Sequence, residues 1–186
     1  RDNGVNFGAI TPAAATLFDS PAELSKYDMV ILGCAGSQQL KTVTRRANME
    51  AYANAGGRIF ISHFGYVWLY DRALDSGGVN ILSPNSFTPT ATWSAQQPSL
   101  SNQDALIDIS FPKGATFATW IQLVNAQAAT STPAVPRIRV IDVRHDFNAV
   151  IAPAQRWVYA NTANAPLQYT FNTPTTALPA NQCGRV

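Results

Sequence analysis

Charge is scarce in this chain. Of its 186 residues, 13 are Lys or Arg and 11 are Asp or Glu, so charged residues make up only 13%, about half the usual share of a globular protein. Lysine is confined to Lys26, Lys41 and Lys113. The net charge is +2, and the arginines are scattered, with local pairs only at Arg45-Arg46 and Arg137/Arg139. They do not interleave with aromatic residues, which excludes a stacking groove for nucleic acid. No apolar run approaches the length of about 18 residues that a membrane-spanning helix needs. Arg1-Asp2-Asn3-Gly4 lacks the apolar core of a signal peptide. Histidine occurs twice (His63, His145) and cysteine twice (Cys34, Cys183). A metal site needs three or four ligands, which these residues supply only if the fold gathers both histidines and an acidic residue. No cofactor is implied.

What the chain does have is a hydrophobic share of 46% and a length that buries one ordinary core, which reads as one domain. A polar but weakly charged surface points to a secreted, periplasmic or cell-surface setting. The organising stretch runs from Tyr27 to Tyr70. Met29-Val30-Ile31-Leu32 is a short apolar run closed by Gly33-Cys34-Ala35-Gly36, and Arg58-Ile59-Phe60-Ile61 is a second. Such runs suit strands buried on both faces of a parallel sheet. Between them lies a helix over about 40–55, closed by Gly56-Gly57 where a helix C-terminus favours glycine. Its pattern predicts Leu40, Val43, Ala47 and Ala51 inward, with Arg45, Arg46 and Asn48 toward water. Strand, helix, strand at this spacing is a βαβ unit, and the two strands are expected to be adjacent, central and parallel.

The rest is less regular. Ser20-Pro21-Ala22-Glu23 combines a capping serine, a first-turn proline and a capping-box glutamate, the signature of a helix start. Residues 71–105 carry Ser76-Gly77-Gly78, Ser83-Pro84, Thr88-Pro89 and Gln97-Pro98, and read as an irregular insertion bordering a cleft. A helix is expected over 115–129 with Phe117, Trp120, Ile121 and Val124 inward. Ile138–Val143 reads as a half-exposed or edge strand, and Trp157–Tyr159 and Leu167–Phe171 as two strands joined by a turn.

YDMVILGCAG followed by AYANAGGRIFISHFGYVW resembles the middle of class I glutamine-amidotransferase-like domains, closest to the ThuA-like (trehalose-utilisation) branch found in secreted bacterial proteins. The resemblance covers residues 24–70 and returns faintly at Leu167–Phe171 and Cys183-Gly-Arg-Val, which look like the last two strands of that fold. It implies an α/β fold with a flavodoxin-like parallel sheet and flanking helices. It also implies a nucleophile elbow after Ile61, where true amidotransferases place cysteine between glycines. Here the elbow reads Ser62-His63-Phe64-Gly65-Tyr66, so the catalytic cysteine is missing. Cys34 falls one strand earlier, where the family has a glycine-rich substrate loop. The opening strand of the family precedes Met29 and has no counterpart here. The chain is therefore expected to be an internal piece of a longer exported polypeptide, its sheet completed by another chain or segment, or shielded by Val5–Ala15.

The ligand-binding cleft implied by this placement is lined by Cys34, Ser37, His63, Phe64, Tyr66 and Trp68. His63 is the catalytic candidate. A histidine at an elbow can bind an anionic or polyol ligand, hold a metal or act as a base. It can equally be a half-buried structural residue. Ser62 is displaced from the elbow centre and does not pair with it. His145-Asp146 is a second candidate that reads as readily as a polar turn. Phe64, Tyr66, Trp68 and Tyr70 can stack on a sugar ring or pack as core. Cys34 and Cys183 allow three readings: a disulfide, two buried thiols, or a reactive thiol at Cys34. A bridge is opposed by Cys34 following its strand while Cys183 precedes its own. A reactive thiol has no histidine near it in sequence. Two functions follow: a non-catalytic module binding a carbohydrate, small polar ligand or partner domain, or a hydrolase or isomerase acting on a sugar-like substrate through His63.

Overall fold

The computed structural model describes residues 12–162 and 165–186. In chain order it contains helices α1 (Ala14–Phe18) and α2 (Pro21–Leu24), strand β1 (Met29–Leu32), α3 (Val43–Asn54) and β2 (Arg58–Ile61). There follow a 3₁₀ segment (His63–Trp68), β3 (Arg72–Leu74), β4 (Asn80–Leu82), β5 (Ala91–Trp93), β6 (Gln103–Ile107) and α4 (Pro112–Leu123). The chain closes with β7 (Arg137–Val140), β8 (Phe147–Val150), β9 (Gln155–Tyr159), β10 (Pro166–Thr170), β11 (Asn172–Thr173) and β12 (Gly184–Arg185). The fold is mixed α/β. Length alone reads as one domain, but the chain divides into two compact units: one of residues up to Pro89 together with Phe171–Val186, the other Thr90–Thr170. The stretch 71–105, read as an irregular insertion, holds β3, β4, β5 and part of β6 and crosses the boundary between the two.

The first unit is built on a four-stranded sheet ordered β1-β2-β12-β11. β1 and β2 pair in parallel from Met29↔Arg58 to Leu32↔Ile61, as the βαβ pattern predicts. β12 joins β2 in parallel, and β11 runs antiparallel to β12. The crossover helix is well specified locally. The Thr42 hydroxyl accepts from Arg45 N–H at its start. At its end Gly56 takes φ +110°, and Gly56 N–H and Gly57 N–H donate to Ala53 O and Tyr52 O. That is the Schellman arrangement, which glycine enters without a Cβ clash. The serine cap of α2 also forms, Glu23 N–H donating to Ser20 Oγ at 3.2 Å.

Three details differ from the sequence pattern. β1 and β2 bury one face only. Val30, Leu32 and Ile59 are inside, whereas Met29, Ile31 and Phe60 are 49%, 69% and 53% exposed. α3 covers one face, its Tyr52 hydroxyl donating to Tyr27 O, and among the described residues β1 is the edge of the sheet. Of the Val5–Ala15 shield, residues 5–11 lie outside the described residues. Second, α3 turns a different face inward: Arg46, Met49, Tyr52 and Ala53 are buried, while Val43 and Ala47 are exposed. Arg46 is no solvated charge. Its guanidinium donates to the carbonyls of Tyr70, Arg72 and Ser83. Burial pulls its pKa below the usual arginine value, against the opposing influence of Glu50 and Asp71. Third, Leu167–Phe171 does not supply a strand to the parallel sheet. β10 pairs antiparallel with β9 in the second unit.

That second unit is antiparallel, with a sheet ordered β10-β9-β6-β7 and a separate β5–β8 pair. β7 lies at the sheet edge, as its alternation predicts. α4 ends at Leu123, earlier than the sequence suggests, and turns Ile121 inward but leaves Trp120 53% and Val124 49% exposed.

Candidate functional site

Parallel pairing brings two turns together at the carboxyl ends of β1 and β2. Ser62 N–H donates to Leu32 O at 3.1 Å, extending the ladder one step past the strands. Cys34 and His63 then lie two residues beyond Leu32 and Ile61, separated by the same 29 positions as every pair in the ladder. Cys34 Sγ and His63 Nδ1 are 3.2 Å apart. Gly36 N–H donates to Cys34 Sγ at 3.5 Å.

His63 sits at φ +30°, a conformation that costs an L-residue about 1–2 kcal/mol and that histidine tolerates better than most. The tight turn continues through Gly65, whose N–H donates to Ser62 O at 2.8 Å. A Cβ on Gly65 would come within 2.7 Å of Ile61 Cγ2, so only glycine lets the turn pass this close to the strand. The ring of Phe64 lies on His63 with centroids 3.8 Å apart.

Beside the pair is a recess of about 170 Å³ whose wall includes Phe18, Ile31, Gln39, Lys41, Phe64 and Trp68. Gly33, Ala35 and Gly65 also line it, whereas Cys34 and His63, their neighbours in sequence, do not. Drug-sized pockets run to about 300–1,000 Å³, so this recess suits a small ligand or one end of a longer one. Lys41 is buried at 8% exposure, with its Nζ 5.8 Å from the centroid of Trp68. A cation at the wall favours ligands bearing carboxylate or several hydroxyls.

The residues expected to line the cleft divide into three groups. Cys34, His63 and Phe64 come together in consecutive contacts, and of the three Phe64 lines the recess. Tyr66 and Trp68 are buried: the Tyr66 hydroxyl accepts from Gln38 Nε2 at 2.9 Å, and Trp68 packs on Phe18 at 4.7 Å. Their role is packing beneath the site, with Trp68 reaching its wall. Ser37 is exposed, its hydroxyl accepting from Gln39 Nε2 at 2.7 Å, and it does not line the recess. The Cys34–Cys183 bridge does not form; both thiols are free and exposed. Cys183 lies by Gly56, next to the amino end of β2, whereas Cys34 follows the carboxyl end of β1, as parallel strands dictate.

His145 and Asp146 belong to the second unit. Asp146 is buried and accepts from Gln96 N–H at 2.8 Å, a contact between positions 50 residues apart. His63 and His145 are thus in different units, and among the described residues no group of three or more His, Cys, Asp or Glu side chains is placed to hold a metal ion. No described helix is long and apolar enough to cross a membrane.

Sequence reasoning missed Lys41 and Gln39, and it passed over the pairing of Cys34 with His63. The signal for that pairing was present in the spacing: two residues past each of two equal-length runs. No family model, curated protein or solved structure matches the chain.

Proposed function

We propose that the unit formed by residues 12–89 and 171–186 is a non-catalytic ligand-binding module of an exported bacterial protein, built like a ThuA-like amidotransferase domain. In this reading it binds a small polar ligand, the end of a carbohydrate or a sugar acid, at the carboxyl ends of β1 and β2. The observation that carries the reading is the recess, with an aromatic wall at Phe64 and a buried cation at Lys41. Aromatic faces stack on sugar rings and the ammonium group pairs with carboxylate or hydroxyl. The placement agrees with the general position of ligand sites in open α/β sheets. A flavodoxin-like sheet would be extended along the β1 edge, and its bare face at Met29, Ile31 and Phe60 covered, by another segment or chain. Turnover is not part of this reading, because the elbow centre carries an imidazole in place of a thiol.

Thermal-shift measurements with trehalose, glucose and a hexuronic acid test it. At least one is expected to raise the melting midpoint by about 2 °C or more, with the shift lost in Lys41→Met and reduced in Phe64→Ala. No shift with any of the three removes the proposal. Amide, ester and glycoside substrates are expected to show no catalytic turnover in either wild type or His63→Ala. A turnover lost on substitution would favour the hydrolase or isomerase reading.

A further inference from the structure

The Cys34–His63 pair carries chemistry that ligand binding does not use. A thiol within hydrogen-bond reach of an imidazole can pass its proton to the ring, and the thiolate is the nucleophilic form of cysteine. Cys34 Sγ and His63 Nδ1 meet that condition at 3.2 Å. The Gly36 N–H is directed at the same sulfur at 3.5 Å. The geometry is held from both sides: the parallel register sets the separation of the turns, and the His63 backbone at φ +30° fixes where its ring begins. Cys34 is exposed, so a reagent reaches its sulfur without opening the fold. Cys183 provides an internal contrast. It is also exposed, but it lies by Gly56, near the amino end of β2.

We propose that Cys34, with His63 as its base, is a site of thiol–disulfide exchange with small disulfides. The Cys34 proton moves to His63 Nδ1, and the thiolate attacks one sulfur of the incoming disulfide. A new S–S bond forms to Cys34, the original S–S bond breaks, and the departing thiolate takes the proton from His63. Cys34 is oxidised and the small disulfide is reduced, so electrons balance within the exchange. A disulfide fits the site better than an acyl donor. Acyl transfer needs hydrogen-bond donors aimed at a developing oxyanion, whereas the amide at hand, Gly36 N–H, is directed at the sulfur itself. Exchange needs only a thiolate, a leaving thiol and access.

The test is the rate of reaction of the whole chain with dithiobis-nitrobenzoate, a small disulfide whose released thiolate is coloured. Cys183→Ser leaves Cys34 alone, and Cys34→Ser leaves Cys183 alone. At about pH 6.5, Cys34 is expected to react about tenfold or more faster than Cys183, with mass spectrometry placing one adduct on Cys34. Adding His63→Asn to the Cys183→Ser chain is expected to lower the Cys34 rate about tenfold. Asparagine tolerates the backbone conformation of His63 but cannot take up the proton. Should that variant fail to fold, the two single-cysteine chains still decide. Their rate ratio is expected to shrink toward unity near pH 9, where an ordinary thiol is itself ionised. Equal rates at about pH 6.5, or a Cys34 rate indifferent to His63→Asn, would overturn the proposal. The reaction needs no ligand in the recess, so this outcome and that of the binding experiment are read separately.

Discussion

The two units hold themselves together differently. In the first, a small sheet is tied to its surroundings by polar side chains that reach backbone oxygens in the interior. Arg46 donates to three carbonyls, and the fully buried Thr173 hydroxyl donates to Ala53 O at 2.7 Å. In the second, rings gather into two clusters: Trp157 meets Phe111 and Phe117 at 5.0 and 5.9 Å, and Phe147 meets Trp93 and Tyr169 at 5.9 and 4.9 Å. The helices repeat the contrast. α3 has a side-chain cap and buries four residues, whereas α4 has no side-chain cap and buries only Gly114 and Ile121. A joint made of directed hydrogen bonds fails when one partner is removed, because the other is left desolvated. A cluster of rings shares its loss among many weak contacts.

That contrast should break most sharply at Gly184. A Cβ there would overlap Ala53 O and the Thr173 hydroxyl, so Gly184→Val is expected to cost about 4 kcal/mol, seen as early loss of the first unit in a denaturant titration. Arg46→Met comes next. It removes the Arg46 donor from three carbonyls, of which Tyr70 O keeps the Thr88 hydroxyl, and should lower stability by about 3 kcal/mol, again in the first transition. A substitution of Arg46 without effect would show that water satisfies those oxygens.

The second unit responds to acid in a defined way. Burial alone would raise the pKa of Asp108. The Ser110 hydroxyl and amide and the Arg156 guanidinium outweigh it and hold the carboxyl below the usual carboxylate range. A carboxyl with a lowered folded pKa adds stability above its unfolded value, about 3.9. That stability is lost as pH falls through the folded value. The loss below about pH 4 should stay under about 1 kcal/mol, since the pair is partly solvated. Arg156→Met is expected to flatten it in melts recorded across that range. The smallest effect belongs to Leu123→Ser on α4. With Leu123 75% exposed, the change should stay within about 0.5 kcal/mol, and a larger loss would mean that the face is covered in solution.

The sequence by itself determined the local pieces of this protein. Gly56-Gly57 could end α3 because only a residue without Cβ enters that conformation cheaply, and Ser20-Pro21-Glu23 could start α2 because each residue meets a separate need of a helix N-terminus. Two apolar runs flanking a helix specified parallel pairing, since a helical crossover returns the chain in the same direction. What the runs did not carry was their surroundings. A four-residue apolar segment reads alike whether one or both faces are covered, so the exposure of Ile31 and Phe60 was decided by where α3 packs. Periodicity placed Arg46 outside because it weighs polarity alone. The tertiary structure placed it inside because carbonyls of a later segment converge on it. Ring contacts and register likewise arise between distant positions. Cys34 meets His63 only because two strands align residue for residue, and that alignment is a property of the sheet, which neither turn encodes alone.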